Sequence, residues 1–320
     1  MSWSDGSDGM ADDAIAITGA TASGKTALGV AVAERLGGEV ISMDSRQVYR
    51  GMNIGTAKPT ERERRGVPHH GFDRVDPDER YSAGQFARDA RRWICEIRER
   101  GAVPILVGGT GFFLRALTHP LFHEPPLQPA RRRRLDAYLR SFTTSELQRW
   151  SATLDPSLAG QRTPADRQRH ARAIEVALLT GRPLSWWHRF APPQEPVLPV
   201  RVFVLEMPAE QLRTRIDARV LAMVEDGLVA EVQALLTAGY HEGVPGMDAT
   251  GYAEIIPLLR GEYELAEAVA RIQAATRRYA RRQRTWLRHK LPADAVSLDA
   301  TRPIAELADR IAANWREENP

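Results

Sequence analysis

The sequence predicts an α/β fold: a P-loop parallel sheet with helices on both faces, interrupted by a helical insertion domain. Three observations predict it. Residues 14–26 read A-I-A-I-T-G-A-T-A-S-G-K-T, a short apolar run followed by the full phosphate-loop pattern G-x-x-x-x-G-K-[ST]. Beyond it, short apolar runs alternate with stretches of helical periodicity, as in parallel sheets covered on both sides. Two proline-rich breaks, residues 120–129 and 191–199, then bracket a stretch that reads wholly as helix.

The elements follow in order. Residues 14–18 form the first strand and 25–36 the helix after the loop, closed by Gly37-Gly38. Residues 39–43, E-V-I-S-M, are a second strand that ends at Asp44. Residues 82–100 have Phe86, Ala90, Trp93 and Ile97 on one helical face. Gly101 ends that helix, and the third strand, V-P-I-L-V at 103–107, runs into Gly108-Gly109-Thr110. After the insertion, residues 200–206 are a strand, and helices are expected at about 209–238, 264–290 and 304–315. The expected division is a tail at 1–13, a first core part at 14–120, the insertion at 121–199 and a mostly helical second core part at 200–320.

Composition excludes several classes. With 43% hydrophobic and 27% charged residues the chain can build a core and a wetted surface. No apolar run has membrane-spanning length. The Ser/Gly/Asp-rich start lacks the basic and apolar parts of a signal peptide, so a disordered tail and a cytoplasmic location are expected. A single cysteine, Cys95, excludes an internal disulfide and a Cys-rich zinc site. It is expected to be a small buried apolar residue rather than a nucleophile. Lys25, Lys58 and Lys290 are the only lysines; the other 41 of 44 basic residues are arginines, beside a net charge of only +3. Their placement therefore says more than their number.

In the loop, glycines let successive N–H groups turn toward an anion at the positive end of the following helix. Lys25 can reach a terminal phosphate, and the Thr26 hydroxyl can ligate Mg²⁺. Asp44 faces the loop across the carboxyl edge of the sheet, where ligands of such sheets gather. It can act as a general base or hold Mg²⁺ through water; a turn aspartate capping a helix is the plain alternative. Ser45, Arg46 and Gln47 beside it can hydrogen-bond a base or a phosphate. The third strand ends without the carboxylate of many nucleotide hydrolases. Thr110 offers a hydroxyl there, and the paired glycines would let a substrate approach the backbone. This pattern favours a transferase that uses the loop to hold a substrate phosphate.

Arginines concentrate in the insertion: Arg131 to Arg134 in a row, then D-R-Q-R-H-A-R-A-I-E-V at 166–176, with Arg169 and Arg172 on one helical face. Either set alone can be a solvated face; together they point toward a phosphate backbone. In residues 272–288, Ile272, Ala275, Tyr279, Gln283 and Trp286 share a stripe, and Arg277, Arg281 and Arg288 another. Gln283 is either a satisfied core amide or a group directed into the site.

An ordered set of segments resembles the tRNA dimethylallyltransferase family, which prenylates an adenine next to the anticodon. It comprises G-A-T-A-S-G-K-T, D-S-R-Q-V-Y-R-G-M-N-I-G-T-A-K-P, P-H-H-G-F-D-R-V-D-P-D-E-R-Y-S and V-G-G-T-G-F-F. D-R-Q-R-H-A-R-A-I-E-V, M-V-E-D-G-L-V-A-E-V and R-R-Q-R-T-W-L-R complete it. The resemblance implies that Gly19, Ala20, Thr21, Ala22, Ser23, Gly24, Lys25 and Thr26 hold the diphosphate of dimethylallyl diphosphate, joined by Arg219, with Mg²⁺ on Thr26. It implies Asp44 as the base toward the adenine N6 amine and Thr110 as the hydroxyl beside that amine. It also implies tRNA contacts from Ser45, Arg46, Gln47, Arg132, Gln168, Arg169, His170, Ala171, Arg172 and Gln283. The segments Gly111-Phe112-Phe113 and D-A-T-G-Y at 248–252 vary from the family pattern. A compact bacterial form acting as a monomer is expected. A P-loop kinase of a small metabolite and an adenylate prenyltransferase are the competing readings.

Overall fold

A computed structural model describes residues 14–119, 121–122, 127–159, 166–193 and 195–319; the expected tail at 1–13 lies outside them. The chain divides into two compact units, one formed by the segments up to Thr118 and from Leu198 onward, the other by His119–Val197.

The first unit opens with β1 (Ala14–Gly19), α1 (Lys25–Leu36), β2 (Gly38–Ser42), the single turn α2 (Glu61–Arg64) and the two-residue β3 (His69–His70). It continues with α3 (Ala83–Glu99), β4 (Val103–Val107) and α4 (Gly111–Thr118). The start of α3 is set by a reciprocal capping box between Ser82 and Gln85. The helical unit follows: α5 (Pro129–Arg140), α6 (Thr144–Leu154), α7 (Pro156–Ala159), α8 (Arg167–Thr180) and α9 (Leu184–Phe190). The chain then returns through β5 (Val200–Glu206), α10 (Ala209–Glu225), α11 (Leu228–Thr237), α12 (Tyr252–Leu259), α13 (Leu265–Lys290), β6 (Val296–Asp299) and α14 (Ile304–Glu318).

All neighbouring strands pair in parallel, in the order β3-β2-β4-β1-β5-β6. Every residue of β1 is buried, as a central strand covered on both faces requires. The main core joins Ile15, Ile17, Ile105 and Phe203 of the sheet to Leu28 and Val32 of α1, and to Leu307, Ile311 and Trp315 of α14. A second core gathers Val48, Met52, Leu228, Val232, Tyr252, Ile256 and Ile272 around the helices from α10 to α13.

Four expectations need correction. The strand 103–107 is the fourth in the chain, because β3 precedes it, and β6 adds a sixth. Both extra strands lie at sheet edges, where the two half-buried histidines of β3 and the single buried residue of β6, Leu298, leave no apolar run to read. The expected helix at 209–238 is two helices. Gly227 at φ 103° breaks it, a left-handed conformation that other residues adopt only with strain. The expected helix list also lacks α2, α4 and α12. Cys95 is half-buried rather than enclosed; burial and nearby Glu99 push its thiol pKa up, which keeps it an unreactive thiol.

Candidate phosphate site and acceptor cleft

The loop from β1 to α1 is built to receive an anion. Gly24, at φ 96°, turns the chain into α1, whose first turn holds no acidic residue and no side-chain cap. The backbone N–H groups of Gly24, Lys25 and Thr26 have no protein acceptor among the described residues, so the helix end stays electrostatically open. Not every loop N–H is available. Thr21 N donates to Gln283 Oε1 at 2.8 Å, and Ser23 N to Ala20 O at 3.3 Å. Ala22 sits at φ 62°, and Ser23 is buried with its hydroxyl unpartnered among the described residues.

Lys25 folds over the loop and donates from Nζ to Ala20 O at 2.6 Å. Burial is the largest cause that lowers its pKa to about 8, the Arg219 charge adds to it, and Asp44 opposes both. Arg219 reaches the same place from α10, and burial lowers its pKa while Asp44 raises it. Two cations held close without full compensation favour an anion between them.

Asp44 follows β2. Its Oδ1 accepts from Arg46 N at 2.8 Å and so holds the turn after the strand; no helix starts there for it to cap. The other oxygen has no protein partner among the described residues. Asp44 lines a cavity of about 70 Å³ with Lys25, Thr26, Arg219, Tyr279 and Gln283. A larger cavity of about 1010 Å³ shares Lys25, Thr26 and Arg219 and extends past Ile54, Lys58 and Met223. Thr110 Oγ1 accepts from Ser45 N at 3.0 Å and lies 3.3 Å from Ser45 Oγ, tying the ends of β4 and β2 together.

Tyr279, read from the sequence only as part of a stripe on α13, faces Asp44 and Thr110. Its phenol is pushed up to about 12, by burial first and the Asp44 charge second. It stays a neutral donor at the mouth of the cleft. A tyrosine hydroxyl one turn from Gln283 on a mostly apolar stripe was the available signal.

Gln283 resolves as a satisfied amide. It is buried, accepts from Thr21 N and donates to Gly109 O at 2.9 Å, clamping the phosphate loop to the end of β4. Gln47 is committed likewise: it accepts from Ser42 Oγ at 2.7 Å and donates to Thr56 O and Ala57 O. Arg46 donates to Pro245 O at 2.8 Å. These three side chains organise the cleft through the protein itself.

The paired glycines also differ from expectation. A Cβ on Gly108 would lie 2.0 Å from Met43 O, and one on Gly109 2.3 Å from Gln283 Nε2. What approaches the backbone here is the protein, which lets the ends of β2 and β4 meet. Gly108→Ala is expected to lower stability by ~2 kcal/mol or more, checked by urea unfolding, because a backbone oxygen cannot step aside.

The helical unit carries the remaining expected residues. Arg132 on α5 and Arg172 on α8 both pair with Glu175, which is buried, and the Arg132 contact is 3.0 Å. His170 is 2% exposed and bonded to Ser151 Oγ at 2.8 Å, so its ring packs between α6 and α8 and presents no surface to a ligand. Ala171 packs against the cluster of Leu139, Leu147 and Ile174. Gln168 and Arg169 are exposed, and Arg169 pairs with Asp166 one turn away. In the first unit, Arg278, Arg281, Arg282, His289 and Lys290 border an open groove along α13.

Known proteins resemble this chain in sequence and fold. A family model described as IPP transferase matches residues 47–290, and one described as isopentenyl transferase matches residues 12–74. A tRNA dimethylallyltransferase from Geobacter metallireducens is 46% identical over 86% of this chain and 89% of its own length. One from Thermomicrobium roseum is 43% identical over 95% and 92%. The crystal structure of a tRNA isopentenylpyrophosphate transferase from Bacillus halodurans superposes with a TM-score of 0.67 at 38% identity, covering 95% of this chain and 97% of that one. A eukaryotic dimethylallyltransferase captured acting on tRNA gives a TM-score of 0.78 at 28% identity, covering 96% and 79%. On the combined agreement of sequence, fold and relatives, the chain belongs to the tRNA dimethylallyltransferase family.

Proposed function

We propose that the chain transfers the dimethylallyl group of dimethylallyl diphosphate to N6 of an adenosine next to the anticodon of tRNA. The observation that carries this reading is the meeting of Lys25, Arg219 and the open end of α1 with Asp44 at one small cavity. The cations and N–H groups suit a diphosphate leaving group, and Asp44 suits the proton of an attacking amine. The new bond joins N6 to the allylic carbon; the carbon–oxygen bond to diphosphate breaks, and the leaving group takes its electron pair. Asp44 accepts the N6 proton through its unpartnered oxygen, and the growing charge on diphosphate falls on Lys25 and Arg219. Thr110 and Tyr279 hydrogen-bond the amine side of the cleft.

Mg²⁺ fits these residues as a companion of the substrate. Among the described residues no group of three His, Cys, Asp or Glu side chains could hold a metal by itself. The Thr26 hydroxyl and the Asp44 carboxylate, both lining the cavity, would add to phosphate oxygens and water, the usual set for this ion. When bound, it would neutralise charge on the diphosphate.

Among the described residues no helix is long and apolar enough to cross a membrane. The basic helical unit and the arginine-rich face of α13 suit an RNA backbone. Within the helical unit, Arg169 is the arginine to remove, because its side chain is 68% exposed while Arg132 holds Glu175. Arg169→Ala is expected to raise the KM for tRNA and to reduce its salt slope by about 1. An unchanged KM across a salt series would assign Arg169 to a solvated face.

Purified protein with labelled dimethylallyl diphosphate, Mg²⁺ and either tRNA, AMP or a kinase acceptor with ATP tests the whole reading. Label in tRNA alone is expected. Label in AMP but not tRNA overturns the acceptor, and ATP-dependent phosphorylation without prenyl transfer overturns the reaction.

A further inference from the structure

Glu231 stands outside the cleft, on α11, within the M-V-E-D-G-L-V-A-E-V segment to which the proposed reaction gives no role. Its carboxylate accepts four hydrogen bonds. Oε2 accepts from Asn53 N and Ile54 N, both at 2.8 Å, and Oε1 accepts from Gly55 N at 3.1 Å and from Tyr252 Oη at 2.5 Å. Three consecutive backbone N–H groups thus converge on one side chain from a residue far along the chain. Tyr252 is itself fully buried in the second core and cannot shift to release the carboxylate. A Cβ on Gly55 would lie 2.4 Å from the Tyr252 ring, so the loop is pressed flat against that ring from its other side.

The segment so held is one wall of the proposed donor site. Asn53, Ile54, Ala57 and Lys58 line the larger cavity opposite Lys25, Thr26 and Arg219. The carbonyls of Thr56 and Ala57 orient the Gln47 amide, and Thr56 borders the small cavity with Asp44. Lys58 Nζ is fixed on Tyr49 O, Asn53 Oδ1 and Asp73 Oδ1, which anchors the far end of the same wall. A chain from Glu231 through three N–H groups to this wall is continuous, and each link is a named bond.

We propose that Glu231 is a positioning residue that sets the 53–58 wall and thereby the fit of the prenyl diphosphate donor. The proposal rests on the donor placement given under Proposed function. A direct electrostatic role for the carboxylate makes the opposite prediction. Removing a negative charge near a diphosphate should tighten donor binding, whereas removing the anchor of the wall should weaken it.

The test is steady-state kinetics of the full chain, varying donor and tRNA separately, with thermal melting alongside. Glu231→Gln keeps the size of the side chain but turns an NH₂ group against backbone donors. It is expected to raise the donor KM about tenfold while kcat and the tRNA KM stay within about threefold. Gly55→Ala disturbs the same loop from the Tyr252 side without touching any charge, and the same donor-specific rise is expected. A donor KM that is unchanged or lowered in Glu231→Gln, or a fall in kcat with both KM values rising together, overturns the proposal. Lys25→Met separates the two layers. If it raises the donor KM and neither wall variant does, only the role of Glu231 falls. If none of the three moves the donor KM, the donor placement falls as well.

Discussion

Lys25→Met is expected to abolish useful donor binding and to stabilise the folded chain at neutral pH. The first effect is a loss of about 10²-fold or more in kcat/KM for the donor, the scale for removing a positioned cation from a developing anion. The second follows from the lowered pKa. In the unfolded chain the ammonium titrates near its ordinary 10.5; folded, burial and Arg219 bring it to about 8. Below about 8 both states are charged and the folded state bears the cost of burying that charge. Between about 8 and 10.5 the unfolded chain binds the extra proton, so stability rises with pH through this window. A neutral methionine removes the cost: Tm at pH 7 should rise by ~3 °C, and the gain should shrink as pH is raised through the window. Calorimetry at two pH values checks it. A Tm that falls at pH 7 would show that the bond to Ala20 O outweighs the buried charge. In the wild-type chain the same titration should weaken donor capture above pH ~8, and Lys25→Arg should flatten that profile because a guanidinium keeps its proton.

Asp44→Asn is expected to cut kcat by about 10²-fold or more with little change in donor KM or in Tm. The asparagine oxygen can still accept from Arg46 N, so the turn at the end of β2 survives. What is lost is the oxygen proposed to take the N6 proton. Single-turnover assays with bound tRNA read this step directly, and near-normal turnover would remove Asp44 from proton transfer. A shifted Mg²⁺ requirement with an unchanged maximal rate would assign the carboxylate to the ion. Because Asp44 raises the Lys25 pKa, the asparagine variant should also move the pH limit of donor capture downward.

The parts of the fold that could be read along the chain are those with a local cause. β4 and β5 fall where apolar runs bounded by turn residues place them, and α1 where the loop glycines start it. α3 begins at a capping box visible as S-A-G-Q. The edge strands β3 and β6 have no such run, and the break at Gly227 hides inside an unbroken apolar period. The phosphate loop was legible because its chemistry needs particular residues at fixed spacing. Gln47, Gln283, Arg132 and Arg172 carry polar groups that look free in sequence. Each finds an internal partner: Gln283 and Arg132 find theirs far along the chain, where no local pattern reveals them, Gln47 on the loop that follows it, and Arg172 one turn on in its own helix.

The sequence alone determined that a strand, a glycine loop, Lys25 and Thr26 follow one another in the pattern of a phosphate loop, since all of it lies within one short segment. It also determined that Asp44 sits at the same edge, because consecutive parallel strands end on one side of the sheet. Only the tertiary structure decided which other groups share that cavity. Arg219 from α10 and Tyr279 from α13 arrive there because helices remote in sequence pack over the carboxyl end of the sheet. Glu231 likewise reaches the 53–58 wall through the packing of α11 and α12. Such long-range meetings follow from burial of apolar faces, which is non-directional and leaves no signature at the polar residues it brings together.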